Sequence, residues 1–192
     1  MCFSKKTSIN KRLKDADKRQ EGYVKLIDEG TIDAIPDDDL LSAVILYRLY
    51  KDKALCRVGK ASKDISEIPR PCQYLFAADS VINLVYAEGL EQVFTADDPP
   101  FQVSIAIEGL RIMGLLRLAE VLADAKAIAE QSSEILGRYF RKELSWGELL
   151  KKQLWADSHD KFNEEIDFTE YRAKTAQYIR ANQECFKGEH LI

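Results

Sequence analysis

His159 stands between Asp157 and Asp160, and an imidazole flanked by carboxylates is what acid–base catalysis or a metal ion would use. Two ligand types in one short stretch leave a metal shell incomplete, and the other histidine, His190, lies three residues from the end. A surface or capping histidine is the simpler reading. Cys72 follows Arg70 closely, but a nucleophilic thiolate also needs a base, so packing is its expected role. Glu88 and Glu91 straddle Gly89 and could pair as acid and base; with no nucleophile beside them, solvation of a helix end accounts for them better. No phosphate-cradling glycine loop and no serine elbow occurs. The enzymatic alternative is a small hydrolase using Asp157, His159 and Asp160, or Cys72. The expectation is a protein without catalytic residues, metal or cofactor.

Charge is the more informative chemistry. The 192 residues carry 28 basic and 32 acidic side chains, a net charge of −4 that argues against a general nucleic-acid binder. Its distribution is uneven: residues 1–25 sum to +5, residues 26–137 to −9 and residues 138–192 to zero. The basic head reads as a solvated arm or helix over residues 1–30, leaving a helical domain over 31–192. Acidic positions available to a partner are Asp37, Asp38, Asp39, Glu88, Glu91, Asp97, Asp98, Glu120 and Asp124. Along the polar faces, Arg111 three residues from Glu108 and Arg117 three from Glu120 are expected to neutralise part of that field.

The elements that must hold these groups are helices. Asp37, Asp38 and Asp39 follow Pro36 and precede an apolar run, the order of a helix N-terminus where carboxylates meet free N–H groups. Pro69 and Pro71 place a loop or short helical pieces between Lys51 and Pro71. From Gln73 to about Glu88, Leu75, Ala78, Ile82 and Val85 form one apolar face, and Gly89 ends the helix. Val103, Ala106, Ile107, Leu110 and Met113 make a further stripe that breaks at Gly114 and resumes with Leu115, Leu118, Ala119, Leu122, Ala125 and Ala129. Ser132 and Ser133 can cap the next helix. Ser145 with Glu148 makes a capping box stapled by Leu144 and Leu149, and Asp167 with Glu170 repeats the device ahead of a last helix buried along Tyr171, Thr175, Tyr178 and Ile179. Period-two alternation is missing, so the class is all-α, a compact domain of about seven helices. Tyr47, Tyr50, Tyr74, Phe76, Phe94, Phe101 and Tyr178 fall at core spacing and read as packing residues.

Cys2, Cys56, Cys72 and Cys185 show no CxxC spacing and read as reduced thiols. The basic start is not followed by a signal-type apolar stretch, and no run approaches a spanning helix, so a cytoplasmic protein with no membrane contact is expected.

Three stretches carry a family resemblance: Ser80 to Phe94, Ile107 to Gly114, and Tyr178-Ile179-Arg180-Ala181-Asn182. Together, over residues 37–186, they resemble the bacterial DUF4375, or DMP19-like, family. The family's Asn-Gly-Gly-Phe element reads Ala87-Glu88-Gly89-Leu90 here, with Gln92 and Phe94 in place; Gly89, Gln92, Phe94 and Gly114 are the structural motif residues. Trp155 to Glu165 is similar to the family's acidic linker. The resemblance implies an all-α domain that binds proteins. In a DNA-mimic reading, its acidic face presents carboxylates, as DNA presents phosphates, to a basic partner such as a DNA-binding protein or transcription factor, without itself binding nucleic acid. The alternative is a toxin-neutralising or regulatory partner protein. Homodimerisation is left open.

Overall fold

The computed structural model describes Arg19 and residues 21–51, 68–95 and 103–187, with side chains given to residue 47 in the first of these stretches. No strand occurs among them. They divide into two compact units: the described residues up to Lys51 with those from Thr175 onward, and those from residue 68 to Lys174.

The first unit contains helix α1 over residues 21–28, a 3-10 turn at Ile32–Ala34 and helix α2 at Asp37–Lys51. The latter half of α10 (Phe168–Ala181) and the short α11 (Gln183–Phe186) complete it. Ile27, Ile32, Ile35, Leu40, Val44, Tyr47, Ile179 and Phe186 are buried. As the acid run predicts, Asp37, Asp38 and Asp39 occupy the first turn of α2. The chain continues past the expected last helix into α11.

The second unit holds α3 (Arg70–Glu88), α4 (Gln92–Thr95), α5 (Val103–Ile112), α6 (Leu116–Gln131), α7 (Ser133–Phe140), α8 (Trp146–Leu150), α9 (Ala156–Glu165) and the start of α10. α3 packs on α5, α5 on α6, and α6 on α9. The stripes read from spacing are the buried ones: Leu75, Ala78, Ile82 and Val85 on α3, Val103 to Met113 on α5, and Leu118 to Ala125 on α6. The turns fall at Gly89 (φ +97°) and Gly114 (φ +79°), in the left-handed region where a Cβ is costly.

Three local expectations are corrected. α3 begins at Arg70, three residues before the expected Gln73, with Pro69 and Pro71 at its start, because the first helical turn has no partner for the N–H that proline lacks; residues 52–67 of the expected loop lie outside the described residues. Trp155 to Glu165 is largely the helix α9 and not a linker, anchored by buried Trp155 and Phe162. Ser132 precedes α7 without a side-chain cap, since its φ of −93° and ψ of 16° lie outside the extended conformation of a capping serine. The capping box at Ser145 and Glu148 is formed in both directions, with Leu144 and Leu149 buried.

Candidate functional site

The acidic residues divide by what their carboxylates already hold. In the first unit, Arg180 donates to Asp37 and, at 3.3 Å, to Asp33, while also reaching the carbonyls of Ile32 and Ile35 at 3.2 and 2.9 Å. One guanidinium thus clasps the turn into α2. Asp39 accepts the Tyr23 hydroxyl at 2.6 Å, and Asp38 is exposed. Asp97 and Asp98 lie outside the described residues.

In the second unit the arrangement is more open. Glu88 and Glu91 flank Gly89, and the amide of Leu90 donates to His159 Nδ1 at 3.4 Å, which joins this turn to α9. α9 carries exposed Asp157, Asp160 and Glu164 at i, i+3 and i+7, a single stripe along one helix face. α6, packed on α9, exposes Glu120 and Asp124 one turn apart. Among the described residues none of these seven carboxylates makes an ion pair. The stripe on α9 was missed from sequence because the segment reads as linker; the i, i+3, i+7 spacing of its acids was the available signal.

Both expected neutralising pairs are replaced by tertiary ones. Glu108 is held by the Tyr74 hydroxyl and by Arg70 at 2.8 Å, not by Arg111, and these contacts, Tyr74's first, keep its carboxyl below the usual glutamate range. Arg117 reaches Glu165 on α9 at 3.3 Å, leaving Glu120 unpaired among the described residues. His159 is half-buried, and no group of three or more metal-ligating side chains occurs among the described residues. Cys72 is fully buried and packs in α3.

Motif residues position this surface. Phe94 stacks on Trp155 with ring centroids 5.3 Å apart and planes 9° from parallel, and the Trp155 indole donates to Ala125 O at 2.9 Å. The turn after α3, the start of α9 and the middle of α6 are thereby held to one another.

One partly buried carboxyl escaped the sequence reading. Asp79 falls on the edge of the α3 stripe, at the spacing Leu75, Asp79, Ile82, beside Tyr171 of α10, and takes the Asn83 amide at 2.9 Å. Burial raises it to about 6, against the opposing hydrogen bonds of Asn83 and Tyr171. The folded chain therefore holds this proton more tightly than the unfolded chain. Asp79 costs nothing below about pH 4, and its cost grows as pH rises through 6, reaching about 3 kcal/mol at neutral pH. Asp79→Asn is expected to raise stability at pH 7.5 and to match the parent near pH 4, as measured by urea unfolding at both pH values. Equal gains at both would remove ionisation as the cause.

A family profile described as DMP19-like protein matches residues 66–182, well over half of the chain. The chain belongs to the DMP19-like family. The matched span contains α3 to α10 and every motif residue named above. No curated protein and no solved structure matches it. Among the described residues, no helix of this DMP19-like chain is long and apolar enough to cross a membrane.

Proposed function

We propose that this DMP19-like protein is a non-enzymatic interaction module whose acidic surface takes the place of DNA on a basic partner, a DNA-binding protein or transcription factor. The observation that carries the reading is the α9 stripe of Asp157, Asp160 and Glu164, with Glu120 and Asp124 on the helix beneath it and Glu88 and Glu91 at the adjoining turn. An α-helix rises about 1.5 Å per residue, so one such stripe offers a charge about every 5 Å along its axis, sparser than the 1.7 Å of duplex DNA. Mimicry therefore calls for several elements, and three supply acids here. Asp37, Asp38 and Asp39 belong to the other unit, where Arg180 and Tyr23 already hold two of them. Asp97 and Asp98 are candidates for partner contact by sequence alone.

The test is affinity capture from a host lysate with duplex oligonucleotide as competitor. The expected result is recovery of a DNA-binding protein that duplex DNA displaces and that high salt releases. Asp157→Asn with Asp160→Asn and Glu164→Gln should weaken the purified pair about tenfold, mostly at low salt. A captured partner indifferent to both DNA and the triple substitution would favour a toxin-neutralising or regulatory role, in which shape outweighs charge.

A further inference from the structure

The segment from α7 through α8 has the opposite character to the acidic surface. From Arg138 to Lys152 the sequence holds five basic residues and two acidic ones, and both acids are already occupied. Glu143 is held by Arg141 at 2.8 and 3.2 Å, and Glu148 by the Ser145 hydroxyl and amide at 2.6 and 2.9 Å. These contacts keep both carboxyls below the ordinary glutamate range. Lys142, Lys151 and Lys152 are exposed and make no ion pair among the described residues.

Between these cations lies an apolar groove. Two depressions, of about 480 and 490 Å³, share Leu144 and Glu148. Tyr139, Phe140 and Trp146 wall the first, the Tyr139 ring lying 5.5 Å from that of Phe140 and 6.0 Å from that of Trp146, and Leu154 lines the second together with Lys151 and Lys152. Phe140 is 47% exposed, so its ring is open to an incoming apolar side chain. The backbone adds a second sign. Lys142 sits at φ +61°, just past the end of α7, where its amide and that of Glu143 bond Tyr139 O and Arg138 O. Glycine is the cheaper residue there, so a lysine at the rim costs stability that folding alone does not require.

We propose that this groove docks an acidic peptide segment of a partner protein, a large apolar side chain seating against Tyr139, Phe140 and Trp146 while flanking carboxylates meet Lys142, Lys151 and Lys152. The occupant follows from charge complementarity. The three lysines outnumber Glu148, whose hydrogen bonds to Ser145 leave its negative charge in place, so the rim is net positive; aliphatic Leu144 and Leu154 line the floor with the rings, which suits a side chain better than a stacked base. This surface is independent of the acidic one and stands whether or not that one binds a DNA-binding protein.

The experiment is fluorescence anisotropy on the full chain with short synthetic peptides of two variables, Asp/Glu content and the presence of one tryptophan. The expected result is saturable binding only when both are present. The double charge reversal Lys151→Glu with Lys152→Glu should weaken it about tenfold or more, and Trp146→Ala should weaken it with unchanged far-ultraviolet circular dichroism. Lys142→Gly separates docking from folding: Tm rises by about 2 °C while peptide affinity falls. Binding that follows negative charge alone, including that of a duplex oligonucleotide or anionic vesicles, overturns the proposal. So does binding that follows the tryptophan alone, self-association of the chain through this face, or no binding.

Discussion

Gly109→Ala is expected to lower the unfolding free energy by about 3 kcal/mol and Tm by on the order of 8 °C. Gly109 is buried in α5 where that helix crosses α3, and a Cβ there would stand 2.8 Å from Tyr74 O, 2.9 Å from Tyr74 Cβ and 3.1 Å from Tyr74 Cα. Two of the three are backbone atoms, so no rotamer relieves the clash and the helices must separate. Separation also pulls on the network across the crossing, in which Tyr74 and Arg70 hold Glu108 while Arg70 lies 4.7 Å from the Tyr74 ring centroid. Gly147→Ala provides the opposite case. Its new Cβ meets nothing within 4 Å in the exposed helix α8, and the change should stabilise by up to about 1 kcal/mol. Urea unfolding of the two variants reads both signs. A neutral Gly109→Ala would mean that α3 and α5 do not pack this closely.

Trp155→Ala should cost about 4 kcal/mol, the other large effect expected from a single side chain. Trp155 is 1% exposed, stacks on Phe94 and donates its indole N–H to Ala125 O. Removing the ring leaves a cavity between α4, α6 and the start of α9, and strips Phe94 of its stacking partner. Trp155→Phe keeps a ring in that place and loses chiefly the hydrogen bond, so it should cost only about 1–2 kcal/mol. Chemical denaturation of the two variants separates the contributions; equal losses would assign the stabilisation to the indole N–H. Because Trp155 holds α9 against α6, its loss should also weaken any partner of the α9 acid stripe more than its distance from the stripe suggests. That sensitivity distinguishes a rigid carboxylate array from charges acting independently.

The helical elements were legible because burial imposes a 3.6-residue period that neighbouring residues report directly. Leu75, Ala78, Ile82 and Val85 announce α3, and Val103 to Met113 announce α5. Gly89 and Gly114 announce the turns through the one conformation that other residues adopt at a cost. The same logic read backwards could have exposed Asp79, an acid standing at a stripe position. Trp155 to Glu165 failed as a helix because its apolar anchors are few and its surface is charged, so the period is faint without the neighbour that buries Trp155 and Phe162.

The candidate surface was less legible than the fold. Nine acids could be named from composition and helix position, but whether a carboxylate is free depends on groups distant in sequence. Arg180 reaches Asp37 across more than a hundred residues, Arg70 reaches Glu108 from another helix, and Arg117 leaves Glu120 for Glu165.

By itself, then, the sequence determined that this chain is helical, where most of its helices turn, and that it carries the DMP19-like motifs. Those properties rest on local periodicity, glycine conformations and residues close along the chain. Only the tertiary structure decided which carboxylates remain open, that Gly109 lies at a helix crossing, and that α9 presents an acid stripe. The first two depend on distances between segments that the chain brings together only by folding; the stripe's spacing is local, but the helix that displays it depends on the neighbours that bury Trp155 and Phe162.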